Sequence, residues 1–183
     1  QVASLDLRKC NALQGSHNHQ NACAAYAAVR TLGVGPRSVE KALKSFTGLA
    51  HRSQLVAEIS GVVFINDSKA TNVDSAMKAL ETFPKIRWIC GGELKEEDIS
   101  KLNNVLKNVK KAYVIGANTA KFSSQISCEF EICNTMDIAV KKAFNDAKDS
   151  ETVLLAPAAA SFDQFSSFEE RGKAFEHEIK KLM

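Results

Sequence analysis

The 183-residue sequence is informative first for what it lacks. No apolar stretch approaches the roughly 20 residues of a membrane span, so a membrane partner is not expected. No run of basic residues exceeds a pair, as at Lys110-Lys111 and Lys141-Lys142, so there is no electrostatic footprint for nucleic acid. The phosphate-cradling pattern G-x-x-x-x-G-K-S/T is absent. No G-x-G-x-x-G follows a first strand with an acidic residue at the required distance, which counts against a dinucleotide-binding oxidoreductase domain. The five cysteines (Cys10, Cys23, Cys90, Cys128, Cys133) are odd in number and match no zinc or redox spacing. Cys90 ends an apolar run and reads as a small core hydrophobe, and a reduced, cytoplasmic setting is expected. No signal-peptide pattern opens the sequence. It starts at Gln1 rather than methionine, inside an apolar-polar pattern, and is expected to have been cut from a longer chain.

What is there suits a globular domain. Apolar residues make up 45% and charged residues 25%, with a net charge of +3. A chain of this size buries roughly 70% of its unfolded surface, enough for one sizeable core.

Residues 1–48 are expected to form a mainly helical piece too small for a core of its own. One strand is expected within residues 1–13. An alanine-rich helix is expected from Asn18 to Leu32, stopped near Gly33, and a second helix opens at Pro36 and stops by Gly48. From residue 49 the pattern changes. Gln54–Ile59 and Gly61–Asn66 are joined by Ser60-Gly61, a hairpin signal. Helical spacing follows at Val73, Ala76, Met77 and Leu80, then a strand at Ile86–Cys90 and a helix from Ile99 to Leu106. A strand at Ala112–Ile115, a helix at Asn118–Gln125 and a helical stripe from Met136 to Ala147 come next. The chain ends with a strand at Val153–Ala156 and a helix carrying Phe168, Phe175, Ile179 and Leu182. This alternation predicts an α/β, doubly wound, mostly parallel sheet.

In such sheets ligands bind beyond the carboxyl ends of the strands. Three post-strand loops are rich in polar and small residues: Asn66 to Asn72, Gly91 to Lys95, and Ala158 to Asp163. The first runs into a helix N-terminus, which favours anions. With Lys69 and Lys95 for charge and Thr71 and Ser161 for hydroxyls, the pattern points to a pocket for a carboxylate or phosphate. Taken singly, each piece has a plainer reading. Asp67 or Asn72 can be a helix cap. Gly91-Gly92 can be a turn, and Ser161 lacks the G-x-S-x-G of a nucleophile. His17 and His19 have nothing nearby to complete a metal set, and His177 reads as solvated. Asp163, Glu169 and Glu170 read as a solvated helix start.

Together the motifs are specific. Gly15 to Ala22 fits G-x-H-N-x-x-N-A, and Gly48-Leu49-Ala50-His51-Arg52 resembles G-L-P-H-R. Asn66 to Asn72 reads NDSKATN, Ala156 to Phe165 reads APAAASFDQF, and Phe168 to Gly172 reads FEERG. From about Gly15 onward the sequence resembles the Mur ligases, in their D-glutamate-adding branch. Ala50 stands where the family has proline, Glu93-Leu94 where it has aspartate-glycine, and Ala156 and Ala159 where it has serine and cysteine.

The resemblance implies a C-terminal domain over 49–183 preceded by the end of an ATP-binding central domain over 1–48. It implies ATP-driven amide formation through an acyl phosphate, with ATP and Mg2+ as cofactors. The implied partners are D-glutamate, ATP and UDP-N-acetylmuramoyl-L-alanine, and a monomer is expected. Asn18, Asn21, Arg52 and Asp67 are implied on the nucleotide, with Lys69 and Arg52 as catalytic residues. Thr71, Lys95, Ser161 and Phe168 are implied around D-glutamate, and His51 at a hinge or cleft. No metal ligand is assigned. The alternatives are a sister ligase for another amino acid, a Rossmann-like nucleotide-binding module, or a binding module without catalysis.

Overall fold

A computed structural model of the chain describes residues 6–183, which divide into two compact units meeting at Leu49 and Ala50. The first unit holds two 3₁₀ turns, Leu7–Lys9 and Asn11–Leu13, then helices α1 (Ser16–Thr31) and α2 (Pro36–Ser45). The strand expected in 1–13 is replaced by these turns over the described residues; residues 1–5 lie outside them. α1 closes with a Schellman motif: Val34 N–H donates to Val29 O at 3.2 Å, Gly33 N–H to Arg30 O at 3.1 Å, and Gly33 takes φ +83°. α2 opens on Pro36 and stops at Ser45, three residues before Gly48. The small core of this unit gathers Cys10, Leu13 and Ala22, with Leu7 and Leu43 against it.

The second unit, Ala50–Met183, is built on a six-stranded sheet. β1 (Gln54–Ile59) and β2 (Val62–Asn66) form an antiparallel hairpin. Its two turn residues, Ser60 (φ 51°) and Gly61 (φ 75°), are both left-handed, the condition for a tight turn that matches strand twist. β6 (Thr152–Leu155), β3 (Ile86–Gly91), β4 (Val109–Ile115) and β5 (Phe130–Asn134) continue in parallel, giving the order β1-β2-β6-β3-β4-β5. Strand side chains alternate between two cores. Ile86, Trp88, Cys90, Ala112, Val114 and Leu154 face α3 (Val73–Thr82), the segment Ser100–Asn108 and α4 (Thr119–Gln125). Phe64, Ile89, Tyr113, Val153 and Leu155 face α5 (Met136–Asp146) and α6 (Phe168–Lys180). The sheet is thus covered on both sides, the doubly wound arrangement the alternation called for. No helix among the described residues is long and apolar enough to cross a membrane.

Two elements differ from expectation. Ser100–Asn108 is a 3₁₀ helix rather than an α-helix. Asn103 lies inside it and is tied to other backbone: its Nδ2 donates to Gln125 O at 2.9 Å and its Oδ1 accepts from Ser127 N–H at 2.8 Å. These bonds tie the helix to the end of α4 and the chain just after it. Strand β5 was not expected. It is an edge strand whose Phe130 and Ile132 are 40% and 45% exposed, leaving Cys133 as its one buried residue.

Candidate functional site

The loops that follow β2, β6 and β3 leave one edge of the sheet side by side, and backbone hydrogen bonds knit them together. Asp67 N–H donates to Leu155 O at 2.8 Å, and Ala158 N–H to Ala70 O at 2.9 Å. Gly91 N–H donates to Pro157 O at 2.9 Å, and Glu93 and Ala160 exchange a pair at 3.0 and 2.8 Å. The approach at Gly92 leaves no room for a side chain: a Cβ there would stand 2.2 Å from Ala160 O, with φ at +132°. Asp163, expected as a solvated helix start, instead accepts Ala117 N–H at 2.7 Å, binding the loop after β6 to the loop after β4.

Lys69 and Thr71 both lie on the loop after β2, with Thr71 N–H donating to Lys69 O at 2.8 Å. The Lys69 ammonium sits 3.8 Å over the ring of Phe168, the first residue of α6. The Phe168 carbonyl accepts from Ser68 Oγ at 2.8 Å. Ser161 is 2% exposed and directly follows the Ala160 that pairs with Glu93. Lys95 is two residues beyond Glu93, on the same rim, with an exposed side chain. Asn72 caps α3, its Oδ1 accepting Ser75 N–H at 2.8 Å.

Asp67 is half-buried, and burial pushes its carboxyl up to about 6, outweighing a hydrogen bond from Ser53 and the charge of Arg52. Arg52 is exposed and follows the buried His51. His51, expected at a hinge or cleft, is packed inside this unit with φ at 61°. Its Nδ1 is 2.9 Å from Asn66 Nδ2, whose two N–H groups are shared with Gly172 O at 3.1 Å and Glu176 Oε1 at 2.9 Å. Asn66 Oδ1 accepts Ser68 N–H at 3.1 Å, so this buried network holds the start of the first loop.

The structure therefore joins the loops that carry Asp67, Lys69, Thr71 and Ser161 at one end of the sheet, with Phe168 against Lys69 and the charge of Arg52 acting on Asp67, while Lys95 lies on the loop after β3. Asn18 and Asn21 belong to α1 of the first unit. Asn18 is half-buried and its Nδ2 donates to Gln14 O at 2.8 Å, whereas Asn21 is exposed. No group of three or more His, Cys, Asp or Glu able to hold a metal occurs among the described residues.

The residue that sequence reasoning missed is Arg171. It is 1% exposed, its guanidinium reaches both loops, and burial lowers it to about 10, still cationic at neutral pH. The FEERG run was the only sign of it, and nothing in that run told a buried arginine from a solvated one.

The family described as Mur ligase, glutamate ligase domain, matches residues 51–159. Along its whole length the chain is 57% identical to a UDP-N-acetylmuramoylalanine–D-glutamate ligase from Ruegeria pomeroyi and 59% to one from Cereibacter sphaeroides. It covers 39% and 40% of those proteins. The fold resembles the Thermotoga maritima MurF ligase in complex with ADP (TM-score 0.65, 20% identity, 92% of this chain, 40% of that one). It also resembles a pseudomurein peptide ligase type C from Methanothermus fervidus (TM-score 0.67, 20% identity, 92% of this chain, 36% of that one).

Proposed function

The chain belongs to the Mur ligase family, and from that premise we propose that it is the D-glutamate-binding part of an ATP-dependent amide ligase. The complete enzyme would add D-glutamate to UDP-N-acetylmuramoyl-L-alanine in peptidoglycan-precursor synthesis, as a cytoplasmic monomer. The observation that carries this reading is the 57–59% identity, without loss of coverage, to ligases named for that reaction. The chain spans about two fifths of those relatives, so the activity belongs to a larger protein.

The residues on the sheet edge fit anionic ligands: two lysines, an arginine, two hydroxyls and the N-terminus of α3. Mg2+ would enter with ATP and neutralise its phosphates; among the described residues no group of three or more His, Cys, Asp or Glu would hold it alone. ATP supplies the phosphoryl group that activates a substrate carboxylate as an acyl phosphate. What this chain contributes is positioning and charge, which is most of what such a reaction asks of a protein. Thr71, Lys95 and Ser161, with Phe168 beside them, hold the two carboxylates of D-glutamate so that its amine faces the acyl phosphate. The Lys69 ammonium, steadied over the Phe168 ring, offsets charge between amino acid and phosphoryl group. Arg52 and Asp67 serve the nucleotide from this unit, Arg52 as the exposed cation able to meet transferring phosphate. Asn18 and Asn21 serve its adenine or ribose side.

A panel of amino acids offered to the complete ligase with ATP and UDP-N-acetylmuramoyl-L-alanine tests the reading. Phosphate release with D-glutamate and not with alanine, lysine or diaminopimelate is expected. Equal turnover with another amino acid would assign the chain to a sister ligase.

A further inference from the structure

Arg171 spends its whole guanidinium on the two loops of the site. Nε donates to Ser68 Oγ at 3.1 Å and Nη2 to Ser68 O at 2.9 Å. Nη1 donates to Ala159 O at 3.0 Å and Ala160 O at 3.1 Å. Ser68 immediately precedes Lys69, and Ala160 immediately precedes Ser161. The Ser68 hydroxyl passes the restraint on to Phe168 O at 2.8 Å, and the Phe168 ring underlies Lys69. One buried group thus fixes the backbone beside both side chains and the platform of one of them.

No carboxylate among the described residues lies within ion-pair distance of Arg171, and the charge of Asp163 offsets only part of the cost of its burial. An unpaired cation buried in a core is expensive, and an apolar side chain of similar volume would pack there at lower cost. The expense is accounted for by what the charge does: its fork meets four acceptors on two loops at once, and its positive field lies behind a site for a dicarboxylate. A lysine cannot replace it, because a single ammonium cannot span acceptors on both loops.

We propose that Arg171 is a positioning residue for D-glutamate, locking the loops after β2 and β6 in the register that makes Lys69 and Ser161 converge. This rests on the reading of that edge as the D-glutamate site.

The test is steady-state kinetics of the complete ligase that contains this chain, with melting temperatures alongside. Arg171→Lys keeps the charge and loses the fork. It is expected to raise KM for D-glutamate by about tenfold or more, as misplacement of a positioning group does, while KM for ATP stays close to wild type. Arg171→Ala is expected to recover part of its D-glutamate affinity when millimolar guanidinium is added, an effect that general destabilisation does not produce. An unchanged KM for D-glutamate in Arg171→Lys overturns the proposal. So does an equal rise in both KM values without guanidinium rescue. If neither variant folds, Ser68→Ala decides. It removes one acceptor of the clamp and its link to Phe168, and a D-glutamate KM equal to wild type overturns the proposal. Failure of the wild-type enzyme to use D-glutamate would instead refute the function proposed above, and this inference with it.

Discussion

At the scale of single residues, the clearest compromise is Asp67. An unfolded aspartate ionises near 3.9, whereas burial lifts this one to about 6. Between those values the folded chain holds a proton the unfolded chain has lost. Folding stability therefore falls as pH rises through this window, and the deficit persists at neutral pH. Asp67→Asn is expected to stabilise the fold by about 1–3 kcal/mol at pH 7.5 and by almost nothing at pH 3.5, where both states are protonated. Thermal melts of the two proteins at those pH values measure it, and an advantage independent of pH would refute the desolvation argument. The same substitution should weaken nucleotide use, since a destabilised group kept at a site trades stability for function.

Asp67 was legible as a site candidate because it sits in a specific seven-residue run, but its environment was not. Burial depends on what the rest of the chain lays over it. Arg171 makes the same point more sharply. Its partner Ser68 is 103 positions away in sequence, so no local pattern could reveal the clamp. Asn66 likewise meets Glu176 across 110 positions.

At the scale of elements, local signals were readable where they concern the backbone itself. The Ser60-Gly61 turn, the Schellman end of α1 and the Pro36 start of α2 each depend on residues adjacent in sequence. Strand β5 was not readable because two of its apolar residues, Phe130 and Ile132, face outward and only Cys133 is buried, whereas the helix at Ser100–Asn108 was readable in place but not in its 3₁₀ form. α6 carries a test of such long-range dependence. Glycine inside a helix ordinarily costs about 0.5–1 kcal/mol against alanine. At Gly172, however, an added Cβ would stand 2.2 Å from His51 Nδ1. Gly172→Ala is therefore expected to destabilise by about 2 kcal/mol, the cost of overpacking winning over helix propensity. Urea unfolding monitored by circular dichroism gives the sign. A more stable variant would mean that His51 moves aside freely and that its bond to Asn66 holds nothing in place.

At the scale of the whole molecule, the strand order explains why three loops distant in sequence share one rim. β6 inserts between β2 and β3, so the segments after Asn66, Leu155 and Gly91 emerge from neighbouring strands where the winding reverses. The alternation of strands and helices announced the layers, but not this order, because adjacency of parallel strands leaves no mark on either strand's own composition. The two units also differ in what they can sustain alone. Ala50–Met183 encloses its sheet between two large clusters of buried side chains, whereas the cluster among the described residues of the first unit holds three buried residues. A protein limited to residues 50–183 is expected to unfold in a single cooperative transition, and one limited to residues 1–49 to show none. Calorimetry on both pieces decides the matter. A broad, non-cooperative melt for 50–183 would mean that the larger core needs the smaller unit. The 183-residue chain should fold yet show no ligase turnover, because no phosphate-cradling loop is present in it. Measurable turnover would require a second way of holding ATP, built from exposed cations such as Arg52 and Lys95 rather than from a backbone cradle.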